Sequence, residues 1–386
     1  MKPSHLVISA MVLTLLSSCA GSPNRRLASV RDDDEDPRAP QVVSEDEARA
    51  EDDSEPKPDT RISEATRKRL FELRRTIRTW AYECPDGSLT GAGCPMGDMN
   101  EFAGMLCLSG EEKRCEDVRR SQDPVTGEWY RSPGLVGIYD GKGWATFSRD
   151  MAKGAWAYAV AKKDSEAARK WLEFIASNDW KLCRKSEEGW DACATRATFW
   201  TTAKVISDYL GLKKNKKMKK YKFLIEKIYG PVEASVQPQD YPMMLTANML
   251  LIRKEIEKRT GKKDPSHRFL NQASRILHRR APDNPIFRYL AKGADEEGAR
   301  LIERWCKATP PENTPYPPGR DWIWQRSIKD TLDGTNVQTW QHPNGHECIW
   351  AINLLIGPDP VQEYTGPRRP WSRRNNVAPV PGESQP

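Results

Sequence analysis

Residues 145–151 read ATFSRDM, placing Arg149 and Asp150 side by side after a serine, where a tryptophan-bearing loop gives way to a helical pattern. This pair has two uses. It can face a substrate, with the carboxylate as base or nucleophile and the guanidinium clamping a sugar carboxylate or hydroxyl pair. It can equally serve the helix, because a negative charge in the first turn meets unpaired amides and the positive end of the macrodipole, worth about 0.3–1 kcal/mol. Hydrolysis of a glycosidic bond needs a second carboxyl group, roughly 5 to 9.5 Å away. Asp98 in the glycine-flanked GDMNEF is the first choice, and Asp140 in GIYDGKG the second. Asp98 also suits a helix cap, and Asp140 an ordinary Asp-Gly turn.

The 14 tryptophans widen the question. Trp156, Trp171 and Trp200 fall inside helical stretches and are expected in the core. Trp129, Trp144, Trp322 and Trp324 fall in loops, where a flat ring either stacks on a sugar or covers the end of a helical bundle. In DWIWQR, an extended backbone would point Trp322, Trp324 and Arg326 one way, as an aromatic platform with a cationic edge; a helix would turn Arg326 off that face. His346 follows PNG at the start of another helical stretch, so it reads as a surface histidine beside Cys348, with anion binding or proton shuttling as the sharper use. A polysaccharide lyase would need a tyrosine or histidine base and a cation for the uronate carboxylate, and then His346, Tyr130 and Arg131 would outrank the aspartates. Nucleophile elbows, P-loops, dinucleotide glycine patterns and His-Glu-x-x-His are all missing from the sequence. No cofactor is expected.

Helices must position these groups. SEATRKRLFELRRTIRTWAY begins at a capping serine, Ser63, and repeats Leu70, Leu73, Ile77 and Trp80 at three- and four-residue spacings. DSEAARKWLEFIASND starts at Asp164, and ATRATFWTTAKVISDYLGL stops at a glycine. YPMMLTANMLLIRKEIEKRTG, DNPIFRYLAKG, ADEEGARLIERWCK and GHECIWAINLLIG continue the pattern, with shorter candidates near 100–108, 111–121, 220–229 and 266–278. About a dozen helices result, with no convincing strand; GLVGIYD is at most one arm of a hairpin. The fold class is all-α. An α/α toroid of antiparallel hairpins is favoured, because no fixed-period repeat marks the alternative, an open α-solenoid.

The ends of the chain concern its location. MKPSHLVISAMVLTLLSSC has one lysine and an apolar run from Leu6 to Leu16, too short to span a bilayer as a helix, so residues 1–18 read as a signal peptide. LSSC resembles the bacterial lipobox, which implies lipidation of Cys19 and a membrane held through acyl chains. In that family CAGS, without an aspartate after the cysteine, implies the outer membrane rather than the inner. Between Gly21 and Thr60 there are 13 acidic and 6 basic residues and no aromatic, so 19–60 is expected to be a disordered acidic tether. The folded part is expected over 61–362, and a proline-rich tail over 363–386.

The whole chain carries +7; Lys2 supplies +1 and the tether −7, which leaves +13 for 61–386. Seven lysines fall in KKNKKMKKYK, residues 213–222, read as a solvated face or as a landing site for an anionic polymer or membrane surface. Nucleic acid is not expected, since export argues against it and aromatics are scarce among the lysines. Beyond Cys19 there are eight cysteines, an even number that reads as disulfides in an exported chain. Proximity pairs Cys84 with Cys94, Cys107 with Cys115, Cys183 with Cys193, and Cys306 with Cys348. Zinc is not expected, because no Cys-x₂-Cys or cysteine–histidine cluster is present.

GDMNEFAGMLCLSGE, WYRSP, FSRDMAKGAWAYAVAKKD, DNPIFRYLAKG and DWIWQR together resemble, over about residues 95–358, bacterial exported α/α-toroid proteins related to carbohydrate-active enzymes. The resemblance implies helices that carry the fold and acidic residues at helix starts lining a glycan cleft. A glycoside hydrolase, a non-catalytic glycan- or protein-binding scaffold and a polysaccharide lyase all remain open, with an anionic glycan the partner that suits a +13 body.

Overall fold

The computed structural model describes residues 62–81, 83–87, 89, 99–138, 147–183, 193–195, 197–220, 241–306, 308–309 and 345–363, all within one compact unit, Pro58–Pro386. Among them are twelve α-helices: α1 Glu64–Arg78, α2 Met99–Leu108, α3 Glu112–Arg120, α4 Arg149–Lys162, α5 Ser165–Ser177, α6 Ala197–Leu210, α7 Lys216–Lys220, α8 Tyr241–Thr260, α9 His267–Arg280, α10 Pro285–Lys292, α11 Glu296–Trp305 and α12 Gly345–Ile356. None is long and apolar enough to cross a membrane. GLVGIYD forms no hairpin arm in its described part: Pro133–Leu135 is a turn of 3₁₀ helix, with the Ile138 amide bonded back to the Leu135 carbonyl. A hairpin arm needs cross-strand partners, and this stretch bonds locally instead.

The helices alternate between two layers. Every residue of α2 except Leu108 is buried, and α12 buries all but Leu354 and Ile356. Helices apolar on all sides belong in an interior. α1 buries only Thr66, Leu70, Arg74, Ile77 and Arg78, one face at helical spacing, as a helix on the outer wall must. The even-numbered helices pack in succession, α2 on α4, α4 on α6, α6 on α8, α8 on α10 and α10 on α12, and α12 packs back on α2. That last contact closes the ring. The odd-numbered helices lie outside it, with α1 against α12 and α11, α3 against α2 and α4, and α9 against α8 and α10. α8 also packs on α2 and α4, so the described helices close on themselves around one interior.

Local sequence explains the helix starts. Ser63 Oγ accepts the Thr66 amide at 3.2 Å, Asp164 Oδ1 that of Ala167 at 2.9 Å, and Asp295 Oδ1 that of Gly298 at 2.8 Å. Asn284 accepts two amides ahead of Pro285, whose missing N–H is no loss at a first helical position. Three disulfides match the proximity pairing: Cys107–Cys115, Cys183–Cys193 and Cys306–Cys348. Cys84 is also disulfide-bonded, and its expected partner Cys94 lies outside the described residues, as does Cys19.

Between α4, α5 and α6 lies a seam of rings. Trp156 meets Trp171 at 4.6 Å, Trp171 meets Phe147 at 6.0 Å and Phe199 at 5.6 Å, and Trp129 meets Trp171 at 6.3 Å. Trp156, Trp171 and Trp200 are core residues, as their helical positions predict. Trp129 belongs to a loop, yet is 2% exposed and packs on the bundle. The cause is an Asx turn in which Asp123 Oδ1 accepts the Val125 and Thr126 amides, leaving Val125 at the tip and returning Trp129 to pair with Gln122. The ring then fills the gap between α4 and α5.

In the last turn of α9, burial holds the His278 imidazole below its usual 6.5, and Arg288 and Lys292 add to the effect against Asp295. The unfolded chain takes up this proton near pH 6.5 while the folded chain resists until lower pH, so stability is lost as pH falls through that window. Thermal melting between about pH 7 and pH 5 should show the loss, and His278→Gln should flatten it. An unchanged slope in that variant would assign the acid sensitivity elsewhere.

Candidate site at the helix starts of the inner ring

The inner helices share a direction. Their C-terminal ends meet: Arg259 at the end of α8 donates to the Ala161 carbonyl of α4 at 2.7 Å, Lys163 lies over the Tyr209 ring of α6 at 6.0 Å, and Lys162 pairs with Glu112 just past α2. Gly110 lies against Pro358, so α2 and α12 also end together. The helix starts of α2, α4, α6, α8 and α12 therefore gather at the opposite end. The chain segments that precede these starts, 79–98, 121–148, 178–196, 221–240 and 306–344, are the longest between consecutive described helices. The connections 109–111, 163–164, 211–215, 261–266 and 293–295 at the other end are short turns; only 281–284, into α10, breaks the asymmetry. Long segments on one face of a rigid scaffold are where binding residues concentrate.

Polar side chains collect in the N-terminal halves of these helices. α2 contributes Asn100 and Glu101, α6 Thr201 and Thr202, α8 Thr246 and Asn248, and α12 His346 and Glu347, all buried. Asn248 Nδ2 donates to Glu101 Oε1 at 2.6 Å, joining residues 147 apart in the chain. Asn248 Oδ1, also buried, has no donor among the described residues. The Asn100 side-chain amide donates to the Tyr130 carbonyl, and the Tyr130 hydroxyl donates to Glu128 Oε2 at 3.0 Å. α2 packs on both α8 and α12, so the carboxylates of Glu101 and Glu347 begin neighbouring inner helices, each as the third residue.

The aspartate and arginine at the start of α4 are placed as the sequence suggests, but the cap is different. Ser148 occupies the position before the helix, yet its side chain caps no amide and its buried hydroxyl has no partner among the described residues. The Asp150 side chain is 26% exposed and pairs with Lys153 of the same helix at 3.5 Å. Arg149 is the first residue of α4 and half-buried, as is Arg131, which follows the Tyr130 carbonyl that binds Asn100. His346 is a correction: it is 1% exposed instead of superficial, because α12 enters the ring interior at once, with Gly345 lodged against Ala81, Trp80 and Ile77. Asp98, Asp140, Trp144, Trp322, Trp324 and Arg326 lie outside the described residues.

Sequence reasoning passed over Glu101, Asn248 and Glu347. A signal was available. After the first turn MNEFAGMLCL is apolar around the whole helix and GHECIWAINLLI is so apart from Asn353, so a glutamate there has no solvated stripe to occupy. Among the described residues no group of three or more His, Cys, Asp and Glu is arranged to hold a metal ion. Comparison with known sequence families, curated proteins and solved structures finds no match for this chain.

Proposed function

We propose that the chain binds and hydrolyses a polysaccharide at the N-terminal end of its inner helices, as a lipoprotein held to the outer membrane through Cys19. The observation that carries the reading is the pair of glutamates opening adjacent inner helices, Glu101 and Glu347, at starts that long chain segments precede. Paired carboxyl groups are what glycoside hydrolysis requires: one protonates the leaving oxygen, and the other activates water or attacks the sugar carbon. Asp98 directly precedes α2 and Asp150 opens α4, so both remain candidate partners at the same helix starts. Asn248 Oδ1 offers a buried acceptor to a sugar hydroxyl beside Glu101. Arg131 and Arg149 supply cations suited to an anionic glycan, in keeping with the +13 of residues 61–386.

One observation favours a non-catalytic glycan-binding scaffold as the second reading. Glu101 and Glu347 are shut off from solvent, and Asp150 is partnered by Lys153. A lyase is less well supported, because the Tyr130 hydroxyl is already a donor to Glu128.

The test is incubation of the purified chain with a panel of bacterial and plant polysaccharides, reading new reducing ends and unsaturated products. Glu101→Gln and Glu347→Gln keep the shape, and the amide oxygen introduced by Glu101→Gln can still accept from Asn248. Each should cost about 10²- to 10⁴-fold in turnover, the usual contribution of a general acid or base. Asp150→Ala with full turnover and a lowered melting temperature would confine Asp150 to its helix. Retention on a polysaccharide without any product would select the scaffold, and neither retention nor product would end the glycan reading. The mass of chain recovered from envelopes reads out acylation at Cys19.

A further inference from the structure

We propose that the outer wall around α7 is a docking surface for an anionic phospholipid bilayer, separate from the helix starts of the inner ring. α7 is pinned from beneath: Met218 is fully buried, its amide bonds to Asn215 Oδ1 at 3.0 Å, and its sulfur accepts from Ser207 of α6. With that face committed, the lysines on either side of Met218 are turned outward. Lys214 is neutralised by Asp208 at 2.6 Å, and the nearby Lys181 pairs with Asp179 at 3.6 Å. Lys213, Lys216, Lys217, Lys219 and Lys220 have no carboxylate partner among the described residues, and all but Lys217 are exposed. Five unneutralised ammonium groups therefore share one short stretch of surface.

The fold adds a tryptophan that the lysine run itself does not contain. Trp180 follows the end of α5 and is half-buried, with Lys216 at 5.2 Å and Lys217 at 5.4 Å over its ring. Asp179 and Trp180 both take left-handed backbone, φ 50° and 62°, a conformation unfavourable for non-glycine residues. Trp180 is held there by its amide bond to the Ile175 carbonyl, by Thr195 Oγ1 donating to its own carbonyl, and by edge contact with Trp200 at 5.6 Å. Trp180 thereby holds the Lys216 and Lys217 ammonium groups together at this surface.

Two features select lipid over a sugar or nucleotide polymer. The Trp180 ring is engaged by Lys216, Lys217 and Trp200, so it is not an open platform for a base or sugar. The cations are lysines, compact point charges that follow the diffuse potential of a surface, and not arginines with a fork for one bound group.

The experiment uses the full chain carrying Cys19→Ser, so that no acyl chain contributes, with vesicles of phosphatidylcholine alone or mixed with phosphatidylglycerol. Co-sedimentation is expected with the mixed vesicles only, and should fall as salt is raised. Replacing Lys213, Lys216, Lys217, Lys219 and Lys220 together by glutamine should leave the melting temperature unchanged and lower partitioning on the order of a hundredfold. Equal partitioning of that variant would overturn the proposal. So would binding to soluble polygalacturonate in preference to the vesicles, or no binding to either.

Discussion

Gly154→Val is expected to abolish the folded state at ambient temperature. An added Cβ at Gly154 would overlap the Asn100 carbonyl oxygen and stand 2.7 Å from the Glu101 Cα, and one at Gly104 would overlap the Gly154 carbonyl oxygen. These obstacles are backbone, so no rotamer change relieves them. Overpacking usually costs about 1–3 kcal/mol where side chains yield. Here α2 and α4 would have to part along their contact, opening voids beside Phe102, Ala155 and Trp156 in the same core. A loss above about 4 kcal/mol follows, a large share of the roughly 5–15 kcal/mol that holds a typical domain together. Urea or thermal unfolding followed by circular dichroism measures it; stability within about 1 kcal/mol of the parent chain would show that the two helices do not cross this closely. The crossing also matters for the site. Asn100 and Glu101 are the residues that Gly154 touches, and Gly154→Ala, which carries the same Cβ, should displace them as well.

The second large effect is at Arg78. Its guanidinium grips both Glu111 oxygens, at 2.9 and 2.6 Å, with Glu111 wholly buried. Asn353 of α12 donates to the same carboxylate at 2.7 Å and accepts from Arg74 of α1, which also binds the Gly357 carbonyl at 2.6 Å. The network ties the first outer helix and the last inner helix to the turn after α2, where the ring closes. Arg78→Ala removes the cation from a buried carboxylate and should cost about 3–5 kcal/mol, whereas Arg78→Met with Glu111→Leu should recover most of it. Chemical unfolding of the parent, single and double variants distinguishes the two outcomes. If the double variant is no more stable than Arg78→Ala, the network's value lies in orienting α1 and α12 and not in charge pairing.

Much of the candidate site was legible as position and little as contact. Asp98, Arg149, Asp150 and His346 were singled out because they stand where helices begin, and they do border or open inner helices. Helix starts are marked locally, by polar residues before an apolar periodic run. The partner of each group is a different matter. Nothing near Glu101 in the chain points to Asn248, and the depth of His346 depends on what α1 places over Gly345. The lysine run was visible, but its aromatic neighbour comes from the turn after α5.

From the sequence alone came the helical class, the caps at Ser63 and Asp164, and the short disulfide loops, because each is decided by neighbours within one or two turns of chain. Tertiary packing decided the closure of α12 on α2, the burial of Trp129 and the meeting of Glu101 with Asn248. Periodicity records which face of a helix avoids water. Which helix that face meets depends on how all the described helices share one interior, and no local stretch encodes that.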